Sequence, residues 1–401
     1  MDSGNTAWML TACALVLLMT PGLAFFYGGL VRARNVVSTI MYSFIAMAIV
    51  SVVWVLWGYS LAFGEGNPYI GDLSLLGLSG IDVHTQGDTL LFVVFQMMFA
   101  IITPALITGA FVERFKFTTY MLFLVIWVTI VYAPIAHWVW AGNGWLFTMG
   151  AADFAGGTVV HINAGVAALA AALLVGKRKN PAPEPHNVPY VVLGAAILWF
   201  GWFGFNAGSG LAANELAVNA FLVTNTAAAT AALTWGIISQ IQTGKMSAVG
   251  VATGAVAGLV AITPASGFVG VMGALAIGFG AGVFCYLAVL VRAKTNVDDA
   301  LEVVAVHGVG GLWGAIATGI FAASAVGGVS GLIEGNAGQV VTQIVACIAT
   351  IVYSFTVTMI ILKVLDLIPG LGLRVKDENE DQGLDLSSHG ERAFVSDGAD
   401  S

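Results

Sequence analysis

Apolar residues run through this chain in stretches of about 20, and short polar or Gly/Pro-rich breaks separate the stretches. A helix of about 20 residues spans the roughly 30 Å hydrocarbon core of a bilayer, whereas the strands of a membrane barrel would alternate apolar and polar residues over about ten positions. The pattern therefore predicts an all-α polytopic membrane protein.

Counting these stretches predicts eleven transmembrane helices, of which the eighth is the shortest. Their approximate ranges are 7–31, 38–63, 88–111, 117–140, 157–175, 190–211, 217–239, 247–263, 268–291, 302–322 and 339–367. The membrane domain is thus expected over 1–370. Residues 371–401 are charged and polar, and by composition they predict a solvated, flexible tail.

The basic residues agree with this count and set the orientation. Lysine and arginine collect in the cytoplasmic loops of membrane proteins. If the loops alternate along eleven spans, all 14 lysines and arginines fall on one side. A miscounted span would divide them between the two sides, so the pattern predicts an outside N-terminus and an inside C-terminus.

The acidic residues are distributed differently between the two faces. Fourteen of the 22 balance the 14 basic residues inside, and the other eight give the outer face the whole net charge of -8. These eight are Asp2, Glu65, Asp72, Asp82, Asp88, Asp153, Glu215 and Glu334. A wholly acidic outer face concentrates cations within a screening length of about 8 Å, although the topology rule alone would also produce it.

Composition supports the same class of protein. Hydrophobic residues make up 58% of the chain and charged residues 9%, against about 25% charged in soluble domains. The three cysteines, Cys13, Cys285 and Cys347, lie inside apolar runs without paired spacing, so neither a disulfide framework nor a metal site is predicted. No cofactor and no nucleic-acid partner are expected, and membrane lipid should surround the helices.

The first ten spans form two similar halves, about 7–175 and about 190–322. Ile-Thr-Pro-Ala at 102–105 in span 3 recurs at 262–265 in span 8, and spans 5 and 10 carry His161 and His307 beside glycines. Because five is an odd number, the two copies run in opposite directions. Such inverted repeats are typical of transporters, whose substrate route lies between the repeats near the bilayer midplane. The symmetry predicts that His161 and His307 approach each other.

Each of these histidines is an ionisable group in the middle of an apolar span, which is a functional-site hypothesis because burying charge there is costly. A neutral histidine donates from one ring nitrogen and accepts at the other, so two in contact can share a proton. Metal binding fits less well, since a tight site needs three or four ligands and neither segment offers Cys, Asp or Glu beside its histidine.

Aromatic residues accompany the same spans. They are Phe95 and Phe99 in span 3, Trp140 at the outer end of span 4, and Trp202, Phe203 and Phe205 in span 6. Rings at a membrane interface are usually anchors, and the alternative is that Trp140 and Phe99, with Ser209 beyond Phe205, form a small cage that holds a cation against ring faces and a hydroxyl. Asp153, at the outer start of span 5, either attracts a cation or caps the helix, and capping is the commoner use of such a residue.

Several longer motifs are specific to a known family. They are PGLAFFYGGLVR at 21–32, GYSLAFGEG at 58–66, DFAGGTVVHINAG at 153–165, GWFGFNAGS at 201–209, ITPASG at 262–267, VHGVGG at 306–311 and GLDLSSHGE at 383–391. Over nearly its whole length the chain resembles the ammonium transporters of the Amt/Mep/Rh superfamily, in particular the bacterial or archaeal Amt branch.

The resemblance implies roles for individual residues. Phe99, Trp140 and Ser209 match an outer site that recruits ammonium, and Asp153 matches the acidic residue that supports it. Phe99 and Phe205 match stacked rings that close the pore, His161 and His307 match twin histidines that line it and relay protons, and Leu23 and Val303 match its apolar wall. The resemblance also implies a homotrimer in the cell membrane.

The implied activity is ammonium transport. NH4+ would bind outside, lose its proton near the phenylalanines and cross as NH3 along the histidines. Coupled proton transfer would make uptake electrogenic, and an electroneutral NH3 channel is the alternative. The motif QGLDLSSHGERAF at 382–394 implies that the tail docks on the cytoplasmic face and meets a PII-type nitrogen signalling protein, although Phe394 stands where the family often has tyrosine.

Two other classes of protein fit poorly. A light-driven pump needs a lysine in the middle of a span, and the only lysine within a span, Lys363, lies at the end of the eleventh. An enzyme needs a nucleophile with a base or a metal with its ligands, and the histidines have no such companions at suggestive spacing. The chain is therefore not expected to be an enzyme.

Overall fold

The computed structural model describes residues 2–181 and 184–394. Within these residues, ten helices are long and apolar enough to cross a membrane, and an eleventh apolar helix is shorter. In chain order, spans 1 to 11 are Ser3–Leu30, Ala33–Phe63, Gly87–Ala110, Phe117–Thr148, Gly157–Val175, Val188–Gly208, Glu215–Thr243, Ala248–Ile262, Val271–Ala293, Val304–Phe321 and Ala337–Leu367. The predicted all-α membrane fold is confirmed, and the shortest span is the eighth, as predicted.

The spans are not uniform α-helices. Both histidine-bearing spans begin with π-helical turns, Gly157–Ile162 in span 5 and Val304–Val309 in span 10. A π-helical turn adds a residue to the turn and so rotates the side chains that follow, and such turns are frequent at functional sites. The matched turns give the two repeats the same local irregularity at the same place.

Glycines bring the two halves together at the centre of the molecule. A Cβ atom added to Gly165 would lie only 2.3 Å from the backbone nitrogen of Gly308, so spans 5 and 10 cross where neither carries a side chain. Span 1 packs along span 6, and span 11 packs against spans 5 and 10. Close backbone approach through small residues is how transmembrane helices gain packing without a hydrophobic driving force between them.

The described part of the tail packs on the membrane domain, whereas its composition predicts a solvated, flexible segment. Asn35 accepts a hydrogen bond from the Leu384 amide at 2.8 Å, and the Asp385 carboxylate accepts one from the Ser38 amide, also at 2.8 Å. The tail contains two short helices, Asp377–Gln382 and Asp385–His389. The docking that the family resemblance implies is confirmed for residues 373–394, and the last part of the proposed tail, 395–401, lies outside the described residues.

Candidate transport pathway

The two histidines lie in contact at the centre of the molecule. Their Nδ1 atoms are 3.2 Å apart and their rings are nearly parallel, with centroids separated by 5.3 Å. Both side chains are buried, and the Nε2 atom of His161 has no hydrogen-bond partner. The contact predicted from the inverted repeat is confirmed. One Nδ1 must donate to the other, so the pair holds a single proton between its rings.

An apolar cavity surrounds the pair. Its other lining residues are Met19, Leu23, Phe26, Ile102, Leu106, Val160, Leu198, Trp202, Phe205 and Val256. Leu23 is therefore in the wall, as the resemblance implies, whereas Val303 is not among the lining residues and instead packs over Gly109. Because the wall offers an ion almost no polar partner, a bare cation would lose its hydration there without compensation.

Two phenylalanine rings pack together beside this cavity, and one of them, Phe205, lines it. The Phe99 and Phe205 centroids are 4.2 Å apart, and both rings are buried. Phe205 also stacks on His161 at 6.0 Å, so the rings lie directly over the histidine pair.

Outside the rings lie the residues expected to form a cage. The indole of Trp140 meets Phe99 edge to face, with centroids 5.7 Å apart, and it is partly exposed. Ser209, also partly exposed, donates its hydroxyl to the Phe205 carbonyl at 2.8 Å and keeps its oxygen lone pairs free to accept. Phe95 packs against Phe99 at 4.9 Å. The structure thus brings the predicted cage residues to the same end of the pathway.

Two predicted aromatic residues have other positions. Phe203 stacks flat on Phe221, with centroids 3.8 Å apart, on a lateral surface away from the histidines. Trp202 lies below the phenylalanines and stacks on His161 at 5.4 Å, and its Nε1 donates to Thr263 at 2.9 Å. Trp202 is therefore part of the apolar cavity and not of the outer cage.

Asp153 caps the start of span 5. Its carboxylate accepts the backbone amides of Gly156, Gly157 and Thr158 at 2.8, 2.6 and 2.8 Å. Its carbonyl oxygen accepts the Trp140 indole N–H at 2.9 Å. Of the two uses predicted for Asp153, the structure shows capping, and through Trp140 the same residue holds one wall of the outer cage.

Sequence reasoning missed the inner counterpart of this residue. Asp299 stands eight residues before His307, as Asp153 stands eight before His161, and its carboxylate accepts the Val304 amide that opens the π-helical turn at 2.7 Å. It is fully buried, and burial raises the pKa of its carboxyl to about 6. The repeated Asp-x7-His spacing was the signal that identifies it.

A second cavity, of about 600 Å³, opens from His307 toward the face that carries the basic residues. Arg178 and Arg292 line it together with Asp298 and Glu302. Arg292 Nε donates to Glu302 at 3.0 Å, and burial raises the pKa of Glu302 to about 7. His307 thus borders both cavities, and ion-paired side chains line the second one.

Buried arginine contacts fix this inner mouth. Arg114 is fully buried and donates to the carbonyl oxygens of Ala110, Gly176 and Asp298 at 3.0, 2.8 and 2.7 Å. The Arg178 guanidinium also contacts this loop, because its Nη2 donates a hydrogen bond to the Asp298 carboxylate at 2.8 Å. These contacts hold the loop that carries Asp299, and no hydropathy pattern predicted them.

An apolar, histidine-lined route between two inverted helical repeats is the architecture of a membrane transport protein. The sequence model described as the Ammonium Transporter Family matches residues 7–394. The chain belongs to that family, and it is a multi-pass membrane protein and not an enzyme.

Similar proteins and a similar crystal structure support this assignment to the family. The chain is 50% identical over 399 residues to the protein named Ammonium transporter Amt1 of Archaeoglobus fulgidus, covering 98% of this chain and 100% of that one. It is also 50% identical over 403 residues to the ammonium transporter of Bacillus subtilis, covering 98% and 99%. The crystal structure of Saccharomyces cerevisiae Mep2 superimposes with a TM-score of 0.88 at 40% identity, covering 94% of this chain and 88% of that chain.

Proposed function

We propose that this protein moves ammonium across the cell membrane by recruiting NH4+ at the outer cage, removing its proton and passing NH3 along the twin histidines. Membership of the family supports the substrate. The contact between His161 and His307 inside an apolar cavity carries the mechanism, because it gives the pathway one proton site and no place for a hydrated ion.

The outer cage supports the first step. A ring face holds a cation with about 0.5–2 kcal/mol, depending on its exposure to water. Trp140 offers such a face beside Phe99, and the Ser209 oxygen can accept an N–H from NH4+. Potassium has a similar size and charge, so the cage alone discriminates poorly between the two cations.

The apolar cavity supports the second step. Potassium would have to enter it as an ion, at a desolvation cost of several kcal/mol. Ammonium avoids this cost by leaving its proton behind, and a neutral NH3 molecule can then donate to or accept from the imidazoles. Selectivity therefore arises from deprotonation rather than from the fit of the cage.

The fate of the proton distinguishes two versions of this function. In the electrogenic version the histidine pair relays the proton inward, and each NH3 is accompanied by one charge. In the alternative, an electroneutral NH3 channel, the proton returns to the outside. The direct Nδ1 contact favours the first version, since a relay needs donor and acceptor atoms within hydrogen-bond distance.

Around this pathway we place an outside N-terminus, a cytoplasmic C-terminus, a membrane domain over 1–370 and a regulatory tail over 371–401. We expect a homotrimer with one pathway in each subunit. The docked segment around Asp385 is the surface that a PII-type protein would meet. Phe394, where the family often has tyrosine, lies against His186 with ring centroids 5.7 Å apart.

The test is ammonium-induced current from purified protein in liposomes on a solid-supported membrane. We expect a current with the parent and at least a tenfold smaller one with His161→Ala or His307→Ala, or a loss of potassium rejection. Glu378→Gln, which alters an exposed tail carboxylate, serves as the matched control. A parent that alkalinises liposomes without any charge movement would establish the electroneutral version, and unchanged currents and potassium rejection in both histidine variants would refute the relay.

A further inference from the structure

Span 11 stands outside the two inverted repeats, yet one of its side chains binds the segment that precedes Asp153. Gln343 is 2% exposed and lies in the outer half of this span. Its Oε1 accepts the Ala152 amide at 2.7 Å, and its Nε2 donates to the Ala152 carbonyl at the same distance. One carboxamide thus holds both backbone polar groups of a single residue.

The next residue along the chain is Asp153. The Asp153 carbonyl oxygen accepts a hydrogen bond from the Trp140 indole N–H. The Asp153 carboxylate caps the π-helical turn at the start of span 5, which carries His161. The chain has no regular structure between Gly150 and Asp153, and although the Ala151 amide donates to the Leu146 carbonyl at 3.0 Å, no helical hydrogen bonds fix the backbone groups of Ala152. The contacts of Gln343 take their place.

Gln343 also connects this segment to the second repeat. Its Nε2 donates to the Ala315 carbonyl of span 10 at 3.0 Å. Span 11 can come this close because Gly319 has no side chain: a Cβ there would lie 2.9 Å from Val340 Cα and 3.1 Å from Gln343 Cγ. One turn earlier, Gln339 donates to the Gly150 carbonyl at 2.9 Å, which adds a second contact to the same loop.

We propose that Gln343 is a positioning residue for the outer ammonium site, which fixes the backbone at Ala152 so that Asp153 holds Trp140 against Phe99. This inference rests on the proposed function of that site. Gln343 touches neither the cage nor the histidines, and its effect passes through the Ala152 and Asp153 peptide groups. Its loss should weaken recruitment while the route beyond the phenylalanines stays intact.

The main test compares Gln343→Met with the parent in liposome currents over a range of ammonium concentrations. Methionine keeps the volume of the side chain and removes all of its hydrogen bonds. We expect KM to rise about three- to tenfold while the maximal current stays within about twofold of the parental value. Thr358→Val is the matched control: Thr358 is also buried on span 11 and accepts a hydrogen bond from Trp127 at 2.9 Å, away from the cage. It should keep the parental KM.

A second readout does not depend on transport. Hydrogen–deuterium exchange of the purified protein should speed up in peptides covering 150–160 for Gln343→Met and not for Thr358→Val, because the amides that Asp153 caps lose their support. If the parent neither carries an ammonium current nor alkalinises liposomes, the proposed function fails, and exchange alone decides the positioning role. Parental KM and parental exchange in Gln343→Met, or equal changes in the Thr358 control, would overturn the inference.

A milder variant covers failure of Gln343→Met to fold. Gln339→Ala removes the contact to Gly150 and the hydrogen bond that Gln339 donates to Gln343 Oε1 at 3.4 Å, but it leaves the bonds between Gln343 and Ala152 in place. It should therefore raise both KM and the exchange of 150–160 by less than Gln343→Met. Parental values of both in Gln339→Ala, with Gln343→Met unfolded, would assign Gln343 a purely structural role and overturn the inference.

Discussion

The Nδ1 atom of His307 lies 3.2 Å from the Nδ1 atom of His161, so at any moment one of these atoms donates and the other accepts. His161 is enclosed by Trp202 and Phe205, whereas His307 also borders the inner cavity. In the proposed relay, a proton on the pair would leave through the cavity that His307 lines.

This geometry predicts strong non-additivity. Because both imidazoles hold the same proton, losing either one breaks the relay, and losing the second has nothing further to break. We expect His161→Ala, His307→Ala and the double variant to reduce the ammonium current by similar factors, on the order of tenfold or more. Currents in liposomes measure all three, and a double variant whose loss is the product of the single losses would contradict a shared proton.

The hydrogen bond between Trp202 and Thr263 gives a second prediction. Both residues are buried, and Thr263→Val leaves the indole N–H without an acceptor. An unpaired buried donor costs about 1–3 kcal/mol, so we expect a lower Tm in detergent and a smaller current, since Trp202 stacks on His161. Thr263→Ser keeps the hydroxyl and should behave like the parent. Equal losses in the serine and valine variants would point to the methyl group instead.

The sequence predicted the features of this structure that depend on local hydrophobic periodicity or on the symmetry between the two repeats. Apolar stretches gave the spans, and the inverted repeat placed His161 against His307. Asp299 was predictable from the same symmetry, because its spacing to His307 repeats that of Asp153 to His161. It was missed because an acidic residue beside basic loops is ordinary on the cytoplasmic side.

Other contacts leave no local trace in the sequence. Gln343 is a single polar residue in an apolar span, and its partner Ala152 is 191 positions away. The composition of the tail predicts a solvated segment, because composition contains no information about the hydrogen bond between Asp385 and Ser38, which are 347 positions apart. Long-range hydrogen bonds of this kind depend on how the spans pack, which neither hydropathy nor charge specifies.

Asp299 gives a third prediction, about charge. The start of a helix carries a partial positive charge of about half an elementary unit, and the carboxylate offsets it near the inner end of the route. Asp299→Asn keeps an oxygen acceptor for the Val304 amide and removes the charge, so we expect about a two- to tenfold smaller ammonium current. Asp299→Ala removes both and should be worse. A parental current in the asparagine variant would show that the hydrogen bond alone matters.

The same inner cluster predicts a pH dependence of stability. Burial raises the pKa of Asp299 to about 6 and that of Glu302 to about 7, from unfolded values near 4, while Arg292 opposes the shift of both. A raised carboxyl pKa means that the folded state favours the protonated form. The stability this contributes is complete below about pH 4 and is lost as the pH rises through about 6 and 7.

We therefore expect the Tm of the parent in detergent to fall between pH 5 and 8 by about 2 °C or more beyond the fall in Asp299→Asn/Glu302→Gln. The double variant cannot titrate at these positions, although its Tm at any one pH will also reflect the altered contacts. The slope is therefore the quantity to compare. Matching slopes in the two proteins would contradict the assignment, and Glu378→Gln should keep the parental slope.

Release of the docked tail is the last prediction. Asn35 is 1% exposed; its side-chain oxygen accepts the Leu384 amide at 2.8 Å, and its side-chain nitrogen donates to Glu113 at 3.0 Å. Asn35→Ala leaves the Leu384 amide without its acceptor, at about 1–3 kcal/mol for a buried polar group, while Glu113 keeps the bonds from Arg32 and Arg178, so the tail should detach more often. Limited proteolysis should then cleave within 376–394 at least about threefold faster than in the parent, because cleavage follows the population of the open form.

The control variant is Ser387→Ala. It removes a hydroxyl whose hydrogen bonds stay within the tail, and it should retain the parental cleavage rate. Equal rates in Asn35→Ala and the parent would show that the other contacts, such as Asp385 with Ser38, suffice to hold the tail in place.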